Sequence, residues 1–454
     1  MFESVSPVTG ERIASYPTLS GEEVARAIER AHDAFTRWRA LPVEARVEPL
    51  RRVASLLRER REEYAALITL EMGKVIGEAL AEIDKCALTC GYIADHAAEF
   101  LAPEPVETEA SSSFVAYEPL GPLLAIMPWN FPFWQVIRFA APALAAGNVV
   151  LLKHAPNVPG CAVALQGVFA DAGFPDGVYS NLMIHVDAVP AIIEHPLIRG
   201  VTLTGSTRAG RAVAAHAGAH LKKCVLELGG SDPYVILEDA ELDTAVATCA
   251  SSRLINAGQS CIAAKRFVVV DAVRPEFEAR LVERMAAAVV GDPMDERTDI
   301  GPLARLDLRD TLHRQVEESI ARGARCLLGG TVTDGAGAFY PPTVLTNVGP
   351  GMPAYHEELF GPVAAIIPVA DEAEAIRVAN DTSYGLGAAI FTRDLVRGEA
   401  LATRAIDAGS VFVNTHVRSD PRLPFGGIKD SGYGRELSSH GMREFTNVKT
   451  VYVA

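Results

Sequence analysis

Apolar residues recur at helical spacing through the first hundred positions. Val24, Ile28, Ala31 and Phe35 fall on one face, and so do Leu56, Tyr64, Leu67 and Met72, so residues 21–100 are predicted to be helical. From residue 120 the pattern changes. The apolar run at 123–127 and the stretch Asn148-Val-Val-Leu-Leu152 read as strands buried on both faces, and amphipathic stretches at 163–172 and 209–219 read as helices. Runs at 200–204 and 223–227 add two more strands. A second alternating block opens at 233–237. It continues through a strand at 265–270, helices near 274–289 and 306–322, and a strand at 410–414. Alternation of this kind specifies βαβ units, so the expected fold is α/β with two doubly wound, Rossmann-like parallel sheets. The glycine pair Gly229-Gly230 is the expected boundary between them. Neither an internal repeat nor a low-complexity segment interrupts the pattern.

At 454 residues the chain exceeds one ordinary core, so two or three domains are expected. Its net charge of −15 argues against a polyanionic partner such as nucleic acid. A small anionic substrate remains compatible, because a local basic pocket can sit within an acidic whole. No run reaches the roughly 18 apolar residues of a membrane-spanning helix, and Met1 to Pro7 has no basic region leading into an apolar one. Seven scattered cysteines, with Cys86 and Cys90 four apart on a predicted helix, fit a reducing compartment, so a cytoplasmic location is expected. No His/Cys/Asp cluster has zinc-ligand spacing, and no metal is expected.

Two stretches carry the chemistry. Glu227-Leu-Gly-Gly-Ser offers a carboxylate beside a glycine pair, and Asn256-Ala-Gly-Gln-Ser-Cys261 offers a thiol in a loop of small residues. A single cysteine is most often a buried structural residue, but Gly258, Gln259 and Ser260 do not build an apolar core around Cys261. With a free pKa near 8.5, only a few per cent of such a thiol is thiolate at neutral pH, so a nucleophilic role requires activation. Three further motifs accompany these two: Pro128-Trp-Asn-Phe-Pro132, Glu358-Leu-Phe-Gly-Pro-Val363 and Pro424-Phe-Gly-Gly-Ile-Lys-Asp-Ser-Gly432. Together, and in this order, they resemble the aldehyde dehydrogenase superfamily from Pro7-Val-Thr-Gly-Glu11 to the C-terminus.

The resemblance implies roles. Cys261 is the nucleophile, Glu227 the general base, and Asn130 the side-chain donor to the oxyanion. NADP and NAD are the cofactors, and their ligands fall on Ile126, Pro128, Trp129, Lys153, Gly205, Ser206, Leu228, Glu358 and Phe360. Gly205 to Gly210 is not a full G-x-G-x-x-G, but it follows a strand, opens a helix and supplies backbone N–H groups for phosphate. The expected division is a cofactor-binding domain at 1–100 and 120–229 and a catalytic domain at 230–430. An oligomerisation arm and C-terminal segment occupy 101–119 and 431–454, giving a homodimer or homotetramer. NAD-preferring relatives place a glutamate three residues after the ribose lysine. Here that position is Pro156, so NADP is expected to be accepted, with NAD also usable. His154, if protonated, adds positive character nearby.

The substrate is read from Arg138 and Ser419. Arg138 lies eight residues after Asn130 amid apolar neighbours, where a charge is expensive unless paired. The superfamily's succinate-semialdehyde dehydrogenases use an arginine at this position, and a serine five residues before the Pro-Phe-Gly-Gly motif, to hold the substrate carboxylate. A second arginine that many of them carry six residues before the nucleophile is Ile255 here, with Arg418 or Arg422 as candidates to compensate. The expected reaction is oxidation of succinate semialdehyde to succinate through a cysteine thiohemiacetal and thioester. Glutarate semialdehyde and unsubstituted aldehydes are the alternative substrates. A CoA-acylating enzyme or a non-catalytic binding protein are the alternative classes, against which the retained Cys261 and Glu227 argue.

Overall fold

The computed structural model describes every residue except Asp334. Four helices, Gly21–Trp38, Val43–Glu59, Arg61–Met72 and Ile76–Phe100, fill the predicted helical stretch. The first is opened by a reciprocal cap in which Ser20 and Glu23 bond each other's backbone N–H. Leu56 and Tyr64 do not share one helix as their spacing suggests. The backbone breaks at Arg60 (φ −104°, ψ 26°), which divides them between two helices.

A six-stranded sheet follows the order Gly432–Tyr433, Lys223–Glu227, Gly200–Thr204, Pro122–Met127, Val149–His154, Tyr179–Asn181, parallel throughout except for its first pair. The chain runs outward from Pro122–Met127 in one direction and then returns to lay Gly200–Thr204 on its other side. This reversal creates a crevice at the carboxyl ends of the two strands, where ligands bind in open α/β sheets. The N-terminal helices and this sheet share one hydrophobic core. The helix Trp134–Ala145 is buried on every side, as expected of a helix that is apolar all round.

The second sheet has seven strands in the order Arg325–Leu328, Thr343–Thr346, Val363–Val369, Arg266–Val270, Pro233–Ile236, Gly387–Phe391, Ser410–Val413, with only the first pair antiparallel. It has a hydrophobic core on each face. Gly229 and Gly230 lie between the last parallel strand of one sheet and the strand Pro233–Ile236 inside the other. A third, small sheet joins Thr446–Val453, Ser112–Pro119 and Glu104–Pro105, with Thr446 opposite Pro119 and Val453 opposite Ser112. The C-terminal segment therefore serves two places. Before reaching the small sheet it lays Gly432 opposite Glu227 at the edge of the first. No helix among the described residues is long and apolar enough to cross a membrane.

Candidate active site

The helix Leu242–Leu254 ends in a tight turn that carries the thiol. Asn256, Ala257 and Gly258 all have positive φ, at 54°, 52° and 77°. Two consecutive non-glycine residues in the left-handed region are costly and persist only where neighbours hold them. Asn256 donates its N–H to Glu78 Oε2 (2.8 Å) and its side-chain amide to the carbonyls of Asn130 (2.8 Å) and Gln259 (3.1 Å). Gly258 packs so closely on Gly361 that a Cβ would lie 2.2 Å from that backbone. Lys265, itself buried, donates to the carbonyls of Ser260 (2.9 Å) and Cys261 (2.7 Å). The turn is thus braced from the long N-terminal helix, from the Asn130 segment and from its own outgoing strand.

Cys261 is half-buried. Burial pushes its thiol up to about 12, with the Arg138 and Lys265 cations pulling down and the Glu358 and Glu227 carboxylates pushing up. The resting group is a thiol at neutral pH. Asn130 is buried, and its Nδ2 donates to Gln259 O at 3.1 Å, which brings the side-chain amide to the backbone two residues before the thiol.

Glu227 ends its strand buried, with neither carboxylate oxygen hydrogen-bonded among the described residues. Its pKa is raised well above the carboxylate range, first by burial and then by Glu436; Arg138 and Arg435 oppose the shift. Gly426 makes room for it, since a Cβ there would meet Glu227 Oε1 at 2.8 Å. Glu436 is also buried and held above its ordinary pKa by burial, and it is ion-paired with Arg138. Arg138 also reaches Thr204 Oγ1 at 3.4 Å and lies 4.7 Å from the Phe425 ring centre. The sequence leaves Arg138 free to meet a substrate carboxylate, but the structure gives it a carboxylate of the protein's own.

The predicted cofactor residues gather at the carboxyl ends of the first sheet. Ile126 is paired with Lys153 on one side and Leu203 on the other. Pro128 follows that strand, and Trp129 meets Phe360 edge-on at 5.8 Å. Lys153 is buried and its ammonium makes no hydrogen bond to the protein among the described residues. Ser206 caps the helix Thr207–Ala219 by accepting from Ala209 N (3.3 Å). The N–H of Gly205, expected to face phosphate, is taken by Glu227 O at 2.9 Å. Leu228 is buried, with its N–H on Ser431 O at 3.0 Å. Glu358 Oε1 accepts from Gly230 N (3.1 Å) and lies 3.5 Å from Lys265 Nζ. These donors, and an aromatic pair beside them, fit a dinucleotide.

His154 does not supply positive charge. It is buried, its Nε2 contacts Pro132 O (2.9 Å) and its Nδ1 accepts from Ala155 N (2.8 Å). Burial pulls its pKa down to about 4, so the ring is neutral at physiological pH. Pro156 is exposed and lines a cleft of about 670 Å³ with Asn157 and Arg305.

A cavity of about 610 Å³ opens onto Cys261. Arg138, Ser419, Phe131, Trp134 and Phe425 line it, as does Ile255; Glu227 does not, among the described residues. Of the two compensating arginines proposed from sequence, Arg418 lines the cavity, whereas Arg422 is paired with Asp420 (2.6 Å) outside it. The sequence reading missed Glu78, Lys85, Lys265 and Glu436. Lys265, four residues beyond the thiol and just before an apolar strand, carried a signal; the others are brought in by long-range packing alone.

The sequence profile of the aldehyde dehydrogenase family matches residues 1–451. The succinate semialdehyde dehydrogenase [NAD(P)+] Sad of Escherichia coli is 49% identical over 449 residues, covering 99% of this chain and 97% of its own. A succinate-semialdehyde dehydrogenase [NADP(+)] of Deinococcus radiodurans is 49% identical over 450 residues, covering 99% and 94%. The crystal structure of succinic semialdehyde dehydrogenase from Streptococcus pyogenes in complex with NADP+ superposes with a TM-score of 0.98 at 39% identity, covering all of both chains.

Proposed function

The chain belongs to the aldehyde dehydrogenase family, and from that premise we propose that it oxidises succinate semialdehyde to succinate with NADP or NAD. The carrying observation is the cavity that presents Cys261 on one wall and Ser419 with cationic side chains on another. A four-carbon aldehyde with a terminal carboxylate suits that pairing of nucleophile and charge. The full-length relatives that bear this substrate in their names support the reading.

In this reading Cys261 Sγ attacks the aldehyde carbon. The thiol proton passes to Glu227, directly or through water, and the new oxyanion accepts from the Asn130 amide and the Cys261 N–H. The chemistry supplied by bound NADP or NAD is hydride acceptance, which turns the thiohemiacetal on Cys261 into a thioester. Glu227 first releases the thiol proton to solvent; as a carboxylate again, it takes a proton from water, whose oxygen attacks the thioester carbon. The C–S bond breaks, and the thiolate and a carboxylic acid result. Lys153, Ser206, Glu358 and Phe360, with Ile126, Pro128, Trp129 and Leu228 beside them, would hold the dinucleotide.

We assign cofactor binding to 1–100 and 120–229, and the nucleophile to 230–430. The small sheet is the oligomerisation arm of a homodimer or homotetramer. Support for this last point is its outer strand, where Val448, Tyr452 and Val453 are exposed at 62%, 50% and 49%. A panel of aldehydes run with each cofactor tests the function. Highest kcat/KM is expected with succinate semialdehyde, without added CoA. Higher efficiency with butyraldehyde, or an absolute need for CoA, would overturn it.

A further inference from the structure

The cavity holds a cation that the chemistry above does not use. Lys85, on the helix Ile76–Phe100, extends into it and donates from Nζ to Ser419 Oγ at 2.7 Å. The same ammonium sits 4.2 Å from the centre of the Trp134 ring. Three other buried cations near the cavity have carboxylate partners. Arg138 has Glu436, Lys74 has Glu82, and Lys265 lies 3.5 Å from Glu358. No carboxylate lies within 4 Å of Lys85 Nζ among the described residues. The cavity wall therefore carries an ammonium already oriented by a hydroxyl and an indole face, with no carboxylate at ion-pair distance among the described residues. Ile255, on the same cavity, contributes no charge.

We propose that Lys85, together with the Ser419 hydroxyl, receives the distal carboxylate of the aldehyde substrate and supplies the charge that Ile255 does not. This deepens the substrate reading and rests on it. A carboxylate entering here gains a charge-assisted hydrogen bond from Lys85 and a second one from Ser419, while Arg138 remains committed to Glu436. The groups that face Lys85 are Glu82 and Cys86 on its own helix, Arg138 on the helix Trp134–Ala145, and Asp420 and His416 on the loop that bears Ser419. Burial and Arg138 pull its pKa down to about 8, so the site keeps its charge at neutral pH and loses it in mild alkali. A carboxylate ligand would raise that value again.

The test is Lys85→Met, with Lys85→Arg as the charge-retaining control. The ratio of kcat/KM for succinate semialdehyde to that for butyraldehyde should fall about 10–150-fold in Lys85→Met, chiefly through KM, and be largely restored in Lys85→Arg. An unchanged ratio would overturn the proposal. The wild-type enzyme gives an independent measurement that does not depend on how the variants fold. The same ratio should decline as pH rises through about 8, since shared titrations of Cys261 and Glu227 cancel in it. A flat ratio through that range counts against Lys85. A wild-type enzyme that does not favour succinate semialdehyde over butyraldehyde at any pH instead overturns the substrate reading on which the proposal rests.

Discussion

Arg138 is ion-paired with Glu436, both side chains are buried, and the same two groups are the principal charges acting on Glu227. Burial raises the pKa of Glu227 first and Glu436 raises it further, while Arg138 opposes the shift. Removing either partner leaves an uncompensated buried charge, so Arg138→Ala and Glu436→Gln should each destabilise the fold by about 3–5 kcal/mol in chemical denaturation. Their effects on rate should differ. Glu436→Gln lowers the pKa of Glu227 and moves the acid limb of the pH–rate profile to lower pH. Arg138→Ala moves it higher, and impairs succinate semialdehyde and butyraldehyde alike. A loss confined to the carboxylate substrate would show that Arg138 releases Glu436 to bind it.

Cys261→Ala should abolish dehydrogenase turnover while leaving the thermal midpoint and NADP binding close to the parent. The side chain is half-buried at a cavity wall, so its loss opens no closed core void. Residual turnover within tenfold of the parent would mean that the covalent route is not used.

Glu227→Gln separates activity from stability. The buried carboxyl has a folded pKa raised above its unfolded value, so the folded state binds the extra proton. Its contribution to stability is present below the unfolded pKa and lost as pH rises through the folded one. Replacing it by a neutral amide should therefore leave stability unchanged near pH 4 and raise it by about 1–3 kcal/mol in mild alkali. Turnover should fall, with acyl-enzyme detectable on the Cys261 peptide by mass spectrometry. A variant both as active and as stable as the parent at every pH would contradict the base assignment and the burial argument together.

The turn before the thiol is the site's most constrained backbone. Gly258→Ala forces a Cβ onto the Gly361 carbonyl at a φ of 77°. The strain is of order 1–3 kcal/mol before any clash is counted. Because a displacement of ~1 Å at the reacting atom can lower rate ~10²-fold, kcat should drop at least that far. A crystal structure with an unmoved Cys261 and normal kcat would show that the turn has slack.

Local order was legible where one stretch of chain determines it. The strands Gly200–Thr204 and Lys223–Glu227 lie at the predicted bounds because each is a short stretch rich in β-branched and apolar residues, the first buried throughout and the second from Val225 onward. Gly387–Phe391 is Gly- and Ala-rich and carries little strand signature of its own, yet it is central enough to pair on both sides. The motif residues were legible because each motif is continuous in sequence. The electrostatics were not. Glu436 stands near Glu227 only because Gly432–Tyr433 crosses back to the first sheet, and Lys85 meets Ser419 across 334 positions. In sequence Lys85 is one more lysine on an amphipathic helix, and Arg138 has no visible partner.

Cofactor choice depends on which charge is present beside Pro156, and the structure removes one candidate. His154 is buried and neutral, so acceptance of NADP has to rest on the absence of a repelling carboxylate and not on a positive histidine. Two outcomes follow. First, the ratio of kcat/KM for NADP to that for NAD should stay flat from about pH 7 upward, where the 2′-phosphate, with its pKa near 6, is already dianionic. A decline through the histidine range would return His154 to the argument. Second, Pro156→Glu should shift the ratio towards NAD by at least tenfold, because the new carboxylate can bond the ribose hydroxyls and repels the phosphate. Pro156 is exposed and outside any regular element, so the substitution should leave the fold intact. Fluorescence titration of each dinucleotide into the Cys261→Ala background reads the same change as affinity alone. If NADP binding there is unaltered by the glutamate, the 2′-phosphate lies elsewhere, and Asn157 and Arg305 in the neighbouring cleft become the residues to vary.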